Sequence, residues 1–119
     1  MGIDIIEIDR VRDAVESYGD KFLNKVYTPH EIKRCTGLNK YRIPELAVRF
    51  AAKEAYSKAL GKGIAGFGRN DHGIRWTDVE IRNDKLGKPM IAYKGKINKN
   101  TYISLSHSRE YAVASVVIE

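Results

Sequence analysis

Glu54 and Lys58 place an acid and a base four residues apart in the run Arg49-Phe50-Ala51-Ala52-Lys53-Glu54-Ala55-Tyr56-Ser57-Lys58-Ala59-Leu60-Gly61. At that spacing the two side chains are neighbours on a helix surface. An exposed pair of this kind adds only ~0.3–0.5 kcal/mol to a helix. The neighbours Phe50, Ala51 and Ala55 point instead to a helix that is largely covered, where charges need partners or a purpose. A carboxylate beside an ammonium on a slim alanine-rich helix suits a magnesium-bound phosphate. Asp4 is a second acid in an unusual place, within the apolar strand-like run Gly2-Ile3-Asp4-Ile5-Ile6. A carboxylate on a strand and one on a helix can meet at a divalent ion, because magnesium takes a few carboxylates and fills its shell with waters and phosphate oxygens. Two solvated surface acids are the alternative, and spacing does not separate the two readings. The third group is Ser104-Leu105-Ser106-His107-Ser108, whose hydroxyls and imidazole could hold phosphate or move a proton, or could be an ordinary polar turn.

The elements that must position these groups follow from the pattern. Residues 1–8 alternate as a short strand, with Ile3 and Ile5 on one face and Asp4 and Ile6 on the other. Asp9 is placed to cap a helix running to about Tyr18, with Gly19 as its stop and another turn or two over residues 21–26. Thr28-Pro29-His30-Glu31 predicts a capping box with proline in the first turn, opening a helix that reaches Cys35 or Thr36. Pro44 opens the long helix through Leu60, and Gly61 ends it. Residues 61–68 hold four glycines and form a loop, either a plain connector or a backbone cradle for phosphate. Residues 74–81 read as a strand, 83–88 as a turn and 89–93 as its partner. Residues 101–106 and 111–118 read as a hairpin. Helices first and antiparallel strands later make an α+β fold, one domain over residues 1–119, with helices packed on a mainly antiparallel sheet.

Composition narrows the classes. The chain has 119 residues, 43% of them hydrophobic, which allows a core but a small one that oligomerisation would relieve. Twenty-one basic against 15 acidic residues, a net +6, favour anionic partners. The single cysteine, Cys35, excludes an internal disulfide and fits a reducing compartment and a packed core position. No run approaches the roughly 20 apolar residues of a membrane span, and residues 1–8 do not read as a secretory signal. A cytoplasmic protein is the expectation. A P-loop ending, a Gly-x-Ser-x-Gly elbow and a zinc spacing of His30, His72 and His107 are all missing from the sequence.

In order and spacing these pieces resemble the holo-[acyl-carrier-protein] synthases, the small bacterial 4'-phosphopantetheinyl transferases. The likeness covers nearly the whole chain. It rests on Gly2-Ile3-Asp4-Ile5-Ile6-Glu7-Ile8, on the Arg49 to Ala59 run, on Asp84-Lys85-Leu86-Gly87-Lys88-Pro89, on residues 104–108, and on Tyr111-Ala112 with Val116-Val117-Ile118-Glu119. The resemblance implies transfer of phosphopantetheine from coenzyme A to a serine of acyl carrier protein, within fatty acid biosynthesis, with release of 3',5'-ADP. It implies Asp4 and Glu54 as magnesium ligands, and Glu54, or a water that it or Asp4 orients, as acceptor of the serine proton. Lys58, Gly61, Ser106 and His107 would line coenzyme A, with His107 and its serine neighbours at the 3'-phosphate. Arg10, Lys21, Phe22 and Lys25 would meet the acidic carrier. A homotrimer with active sites between subunits is implied as well.

Two readings of other classes compete. The positive charge and seven tyrosines allow a nucleic-acid binding module without catalysis, but the tyrosines are scattered and no nucleic-acid signature is present. A non-catalytic scaffold for acidic proteins would have no need of Glu54 or Lys58.

Overall fold

The computed structural model describes residues 1–61 and 74–119. Strand β1 (Gly2–Glu7) leads into helix α1 (Ile8–Tyr18), followed by α2 (Asp20–Val26) and α3 (Pro29–Arg34). A small hairpin of β2 (Thr36–Gly37) and β3 (Lys40–Tyr41) precedes the long helix α4 (Ile43–Leu60). A 3-10 turn over Trp76–Asp78 opens β4 (Val79–Asn83), followed by β5 (Pro89–Tyr93), β6 (Lys96–Ile97), β7 (Thr101–His107) and β8 (Tyr111–Ile118). The strands form two three-stranded antiparallel sheets, ordered β1-β8-β7 and β4-β5-β6, besides the β2-β3 hairpin. The α+β expectation stands.

Helix α4 is the central element. Its residues Leu46, Ala47, Val48, Ala51, Ala52, Ala55 and Tyr56 are buried. The alanines leave room for backbone to approach, and β1 uses that room: a Cβ on Gly2 would lie 2.0 Å from the Ala55 carbonyl oxygen. Only glycine lets the strand lie this close to the helix. Elsewhere on the helix, Phe50 packs on Trp76 at a centroid separation of 4.6 Å, and Tyr56 packs on Tyr93 at 5.8 Å. The buried Arg49 ties α4 to β4, its guanidinium donating to the Glu45 carboxylate at 2.8 Å and to Asn83 Oδ1 at 3.2 Å.

Local chemistry sets most element ends. Thr28 Oγ1 accepts from the Glu31 amide while Glu31 Oε1 accepts from the Thr28 amide, the reciprocal box that the sequence predicts. Gly61 closes α4 at φ 74°, its N–H reaching the carbonyls of Lys58 and Ser57. Gly19 ends α1 at φ 55°.

Three local expectations change. Asp9 does not cap α1: Glu7 holds that position without a side-chain bond, and Asp9 instead pairs with Arg12 in the first turn. Residues 74–81 are not one strand, because Trp76 turns inward to be buried and Asp78 accepts the Arg75 amide, closing a 3-10 turn before β4. The β2-β3 hairpin went unpredicted. Its turn residues Leu38 and Asn39 both adopt positive φ, 46° and 65°, without the glycine that usually announces such a turn.

Candidate active site

Strand β1 has two unlike faces. Gly2, Asp4 and Ile6 look toward α4, while Ile3 and Ile5 point outward and are 56% and 62% exposed. The odd acid of the strand therefore lies on the helix side. There the Lys58 ammonium donates to Asp4 Oδ1 at 2.8 Å and to the Ile3 carbonyl oxygen at 3.0 Å. Two residues 54 positions apart are thus joined, one fixed by its ladder to Ala114 and the other by the last turns of α4. Glu54 lies one turn before Lys58, beside the Ala55 over which Gly2 sits, and is half-buried. Ser57 spends its hydroxyl on the Glu54 backbone carbonyl at 2.7 Å. Gly61 is exposed just beyond the same end of the helix.

The 104–108 group is placed differently. Ser106 pairs with Val113, in line with Ile5, on the outward face of the β1-β8-β7 sheet. His107 pairs with Ala112, in line with Ile6, at the exposed end of β7. Strand β7 is two strand spacings from β1, roughly 10 Å. Within one chain the fold gathers Asp4, Lys58 and the end of α4 at one place and sets Ser106 and His107 apart. The glycine-rich cradle and His72 fall on residues 62–73, outside the described residues, apart from Gly61.

The family model for the 4'-phosphopantetheinyl transferase superfamily matches residues 1–116. The chain belongs to this superfamily. Among its relatives, the holo-[acyl-carrier-protein] synthase of Chloroherpeton thalassium is 47% identical, the match covering 100% of this chain and 96% of that protein. The synthase of Halothermothrix orenii is 42% identical over 100% of this chain and 95% of its own. The solved structure of the Bacillus anthracis synthase in complex with CoA (3',5'-ADP) superposes with a TM-score of 0.77 at 41% identity, covering 99% of this chain and 93% of that one. The Helicobacter pylori synthase in complex with coenzyme A gives 0.79 at 29% identity, covering 99% and 98%. The chain is thus an enzyme of the holo-[acyl-carrier-protein] synthase family, a transferase.

In this transferase the residues expected to meet a carrier lie on α1 and α2. Arg10, Lys21 and Lys25 are exposed. Phe22 is half-buried, its ring edge-on to Tyr27 at 6.0 Å and stacked with Phe50 at 6.4 Å, so it packs the helices together as well as showing an edge to solvent.

Sequence reasoning missed a second lysine–carboxylate pair on α4. Lys53, adjacent to Glu54, is fully buried and donates to Glu31 Oε1 at 2.6 Å, to the Val26 carbonyl at 2.6 Å and to the Trp76 carbonyl at 3.1 Å. The other oxygen of Glu31 accepts the Ile81 amide at 2.9 Å. Burial pushes the Lys53 ammonium below its usual pKa, and the Glu31 carboxylate opposes that. Nearby, burial alone would raise the Glu80 carboxyl. Hydrogen bonds from the Thr28 hydroxyl at 2.5 Å and Arg82 Nε at 2.5 Å outweigh it and hold Glu80 below the usual carboxylate range. A lysine inside an alanine-rich helix one residue from an acid was the available signal. Its partner, 22 residues away, was already engaged by the capping box.

Proposed function

We propose that this protein transfers the 4'-phosphopantetheine arm of coenzyme A to a serine of apo acyl carrier protein and releases 3',5'-ADP. The observation that carries the reading is the Asp4–Lys58 contact of 2.8 Å, which brings the acid of β1 to the acid-and-base end of α4 in a chain of this family. Relatives solved with coenzyme A support the same substrate.

In this reading Asp4 and Glu54 hold a magnesium ion. The donor set suits it: two carboxylates on regular elements leave the remaining positions to water and phosphate oxygens, the shell magnesium prefers. Among the described residues no cluster of three or more His, Cys, Asp or Glu side chains forms a closed metal cage. The metal would neutralise charge on the diphosphate and polarise the phosphorus under attack. The carrier's serine oxygen bonds to the β-phosphorus of coenzyme A as the bond from that phosphorus to the 3',5'-ADP oxygen breaks. The serine proton passes to Glu54 or to a water that Glu54 or Asp4 orients. Lys58 offsets charge on the phosphoryl oxygens and the leaving group. Gly61 offers backbone beside it. Ser106 and His107 take the 3'-phosphate end, and because they lie apart from Asp4 within one chain they serve a neighbouring copy's site in a homotrimer. The outward face of the β1-β8-β7 sheet, with Ile3, Ile5, Tyr102, Tyr111 and Val117 all more than a third exposed, gives such an assembly a surface to bury. Arg10, Lys21, Phe22 and Lys25 receive the acidic carrier, the three cations mainly speeding and orienting encounter. The setting is cytoplasmic.

The test is incubation with apo acyl carrier protein, coenzyme A and magnesium, followed by mass spectrometry. One added phosphopantetheine per carrier is expected. Glu54→Gln should lose roughly 100-fold or more of the rate while folding normally. Full activity in that variant would remove Glu54 from the site. Salt-sensitive retention on RNA with no transfer would favour the nucleic-acid module.

A further inference from the structure

Lys58 grips Asp4 in a way that can be undone. Its side chain is 51% exposed, against 17% for Asp4. The ammonium has three donors, and two of them are used, on Asp4 Oδ1 at 2.8 Å and on the Ile3 carbonyl at 3.0 Å. Its four-carbon stem lets it swing, and open water gives it somewhere to go. Lys53, five residues earlier, is the opposite case: fully buried, with three acceptors within 3.1 Å. The ammonium thus sits on one of the two oxygens of the carboxylate that a divalent cation would take, and its positive charge competes with the cation for it.

Resting on the metal reading above, we propose that Lys58 is an exchangeable counter-ion of Asp4. A divalent cation takes over the carboxylate, the ammonium leaves, and the released ammonium becomes the donor that a diphosphate meets. Cation and diphosphate then bind with positive coupling beyond their own mutual attraction. A phosphate draws Lys58 off Asp4 and exposes the carboxylate to the cation. A cation displaces Lys58 and frees it for phosphate. Each ligand removes a cost that the other would otherwise bear, and the coupling is reciprocal. The arrangement guards the site: neither ligand alone gains the full benefit, so the pair assembles together.

The measurement is Mn2+ affinity by electron paramagnetic resonance on the full chain, with and without coenzyme A, for the wild type, Lys58→Met and Asp4→Asn. Methionine keeps the length and packing of the stem and removes the charge, and matching thermal melts establish that each variant is folded. Without coenzyme A, Lys58→Met should bind Mn2+ roughly two- to fivefold more tightly than wild type, the range that loss of a half-exposed ion pair allows. The factor by which coenzyme A strengthens Mn2+ binding should shrink in the same variant. Simple repulsion by Lys58 would tighten Mn2+ binding and leave that factor unchanged, and this result overturns the exchange. Unchanged Mn2+ affinity in Lys58→Met, with binding lost in Asp4→Asn, also overturns the exchange and leaves the metal assignment standing. Wild-type Mn2+ binding in Asp4→Asn overturns both.

Discussion

Helix α4 carries two lysine–carboxylate pairs that face different worlds. Lys53 and Lys58 project about 140° apart around the helix axis, from the 100° advance per residue. Lys53 meets Glu31 with no exposure on either side chain, and its ammonium is also satisfied by two backbone carbonyls. Lys58 meets Asp4 at the protein surface with half its side chain in water. The first pair joins the end of α2, the start of α3, the 3-10 turn and β4 to the helix, so breaking it loosens several elements at once. The second joins only β1 to the helix end. A charge that must never move is buried and saturated with partners. The charge proposed to trade partners is left partly wet. One face of α4 holds the fold, and the other carries the residues proposed for the chemistry.

The contrast can be broken at its strong end first. Glu31→Ala strands the Lys53 ammonium in the interior and should cost about 3–5 kcal/mol, read as a fall in the urea midpoint. Lys58→Met should cost under about 1 kcal/mol in the same assay. Replacing both members of the buried pair, as Lys53→Met with Glu31→Leu, should recover only the part of the loss that comes from the uncompensated charge, because the Thr28 and Ile81 amides still lose their acceptor. Equal costs for Glu31→Ala and Lys58→Met would erase the distinction.

Cys35 reports on the dry side. It is buried at the end of α3, and burial raises its thiol from 9.0 to about 11, with Arg49 opposing the shift. The folded state therefore holds this proton more tightly than the unfolded chain does. The stabilisation is fully present below pH 9 and is lost as pH rises through 11. At pH 8 the folded thiol should react with a disulfide reagent about 100-fold more slowly than in the urea-unfolded chain, from the difference in thiolate population. Tyr27 moves the same way, raised chiefly by burial, with its hydroxyl donating to the Leu46 carbonyl at 2.7 Å. A fast-reacting native thiol would mean that this side of α4 is wet.

What the sequence made legible were features whose cause is local. The capping box at Thr28 and Glu31, the glycine stop at Gly61 and the two hairpins of the second half are each fixed within a few residues. Long-range choices were harder to see. Glu31 has two oxygens, and local pattern accounts for one bond to them; the Lys53 ammonium and the Ile81 amide arrive only when α4 and β4 pack. Residues 74–81 carry strand-like side chains, yet the demand to bury Trp76 wins over the pattern. At the site, Asp4 stood out as an acid among isoleucines, but only the fold brings it to Lys58. Nothing in residues 104–108 announced that Ser106 and His107 would sit two strands from β1.

The central claim is that Asp4 and Glu54 act as one unit on one cation. A double-mutant cycle on carrier phosphopantetheinylation, with Asp4→Asn, Glu54→Gln and both together, tests it most directly. If the two carboxylates share the ion, the double variant should be no slower than the slower single variant. Losses that multiply would mean that the two acids work independently, and the shared site would be wrong.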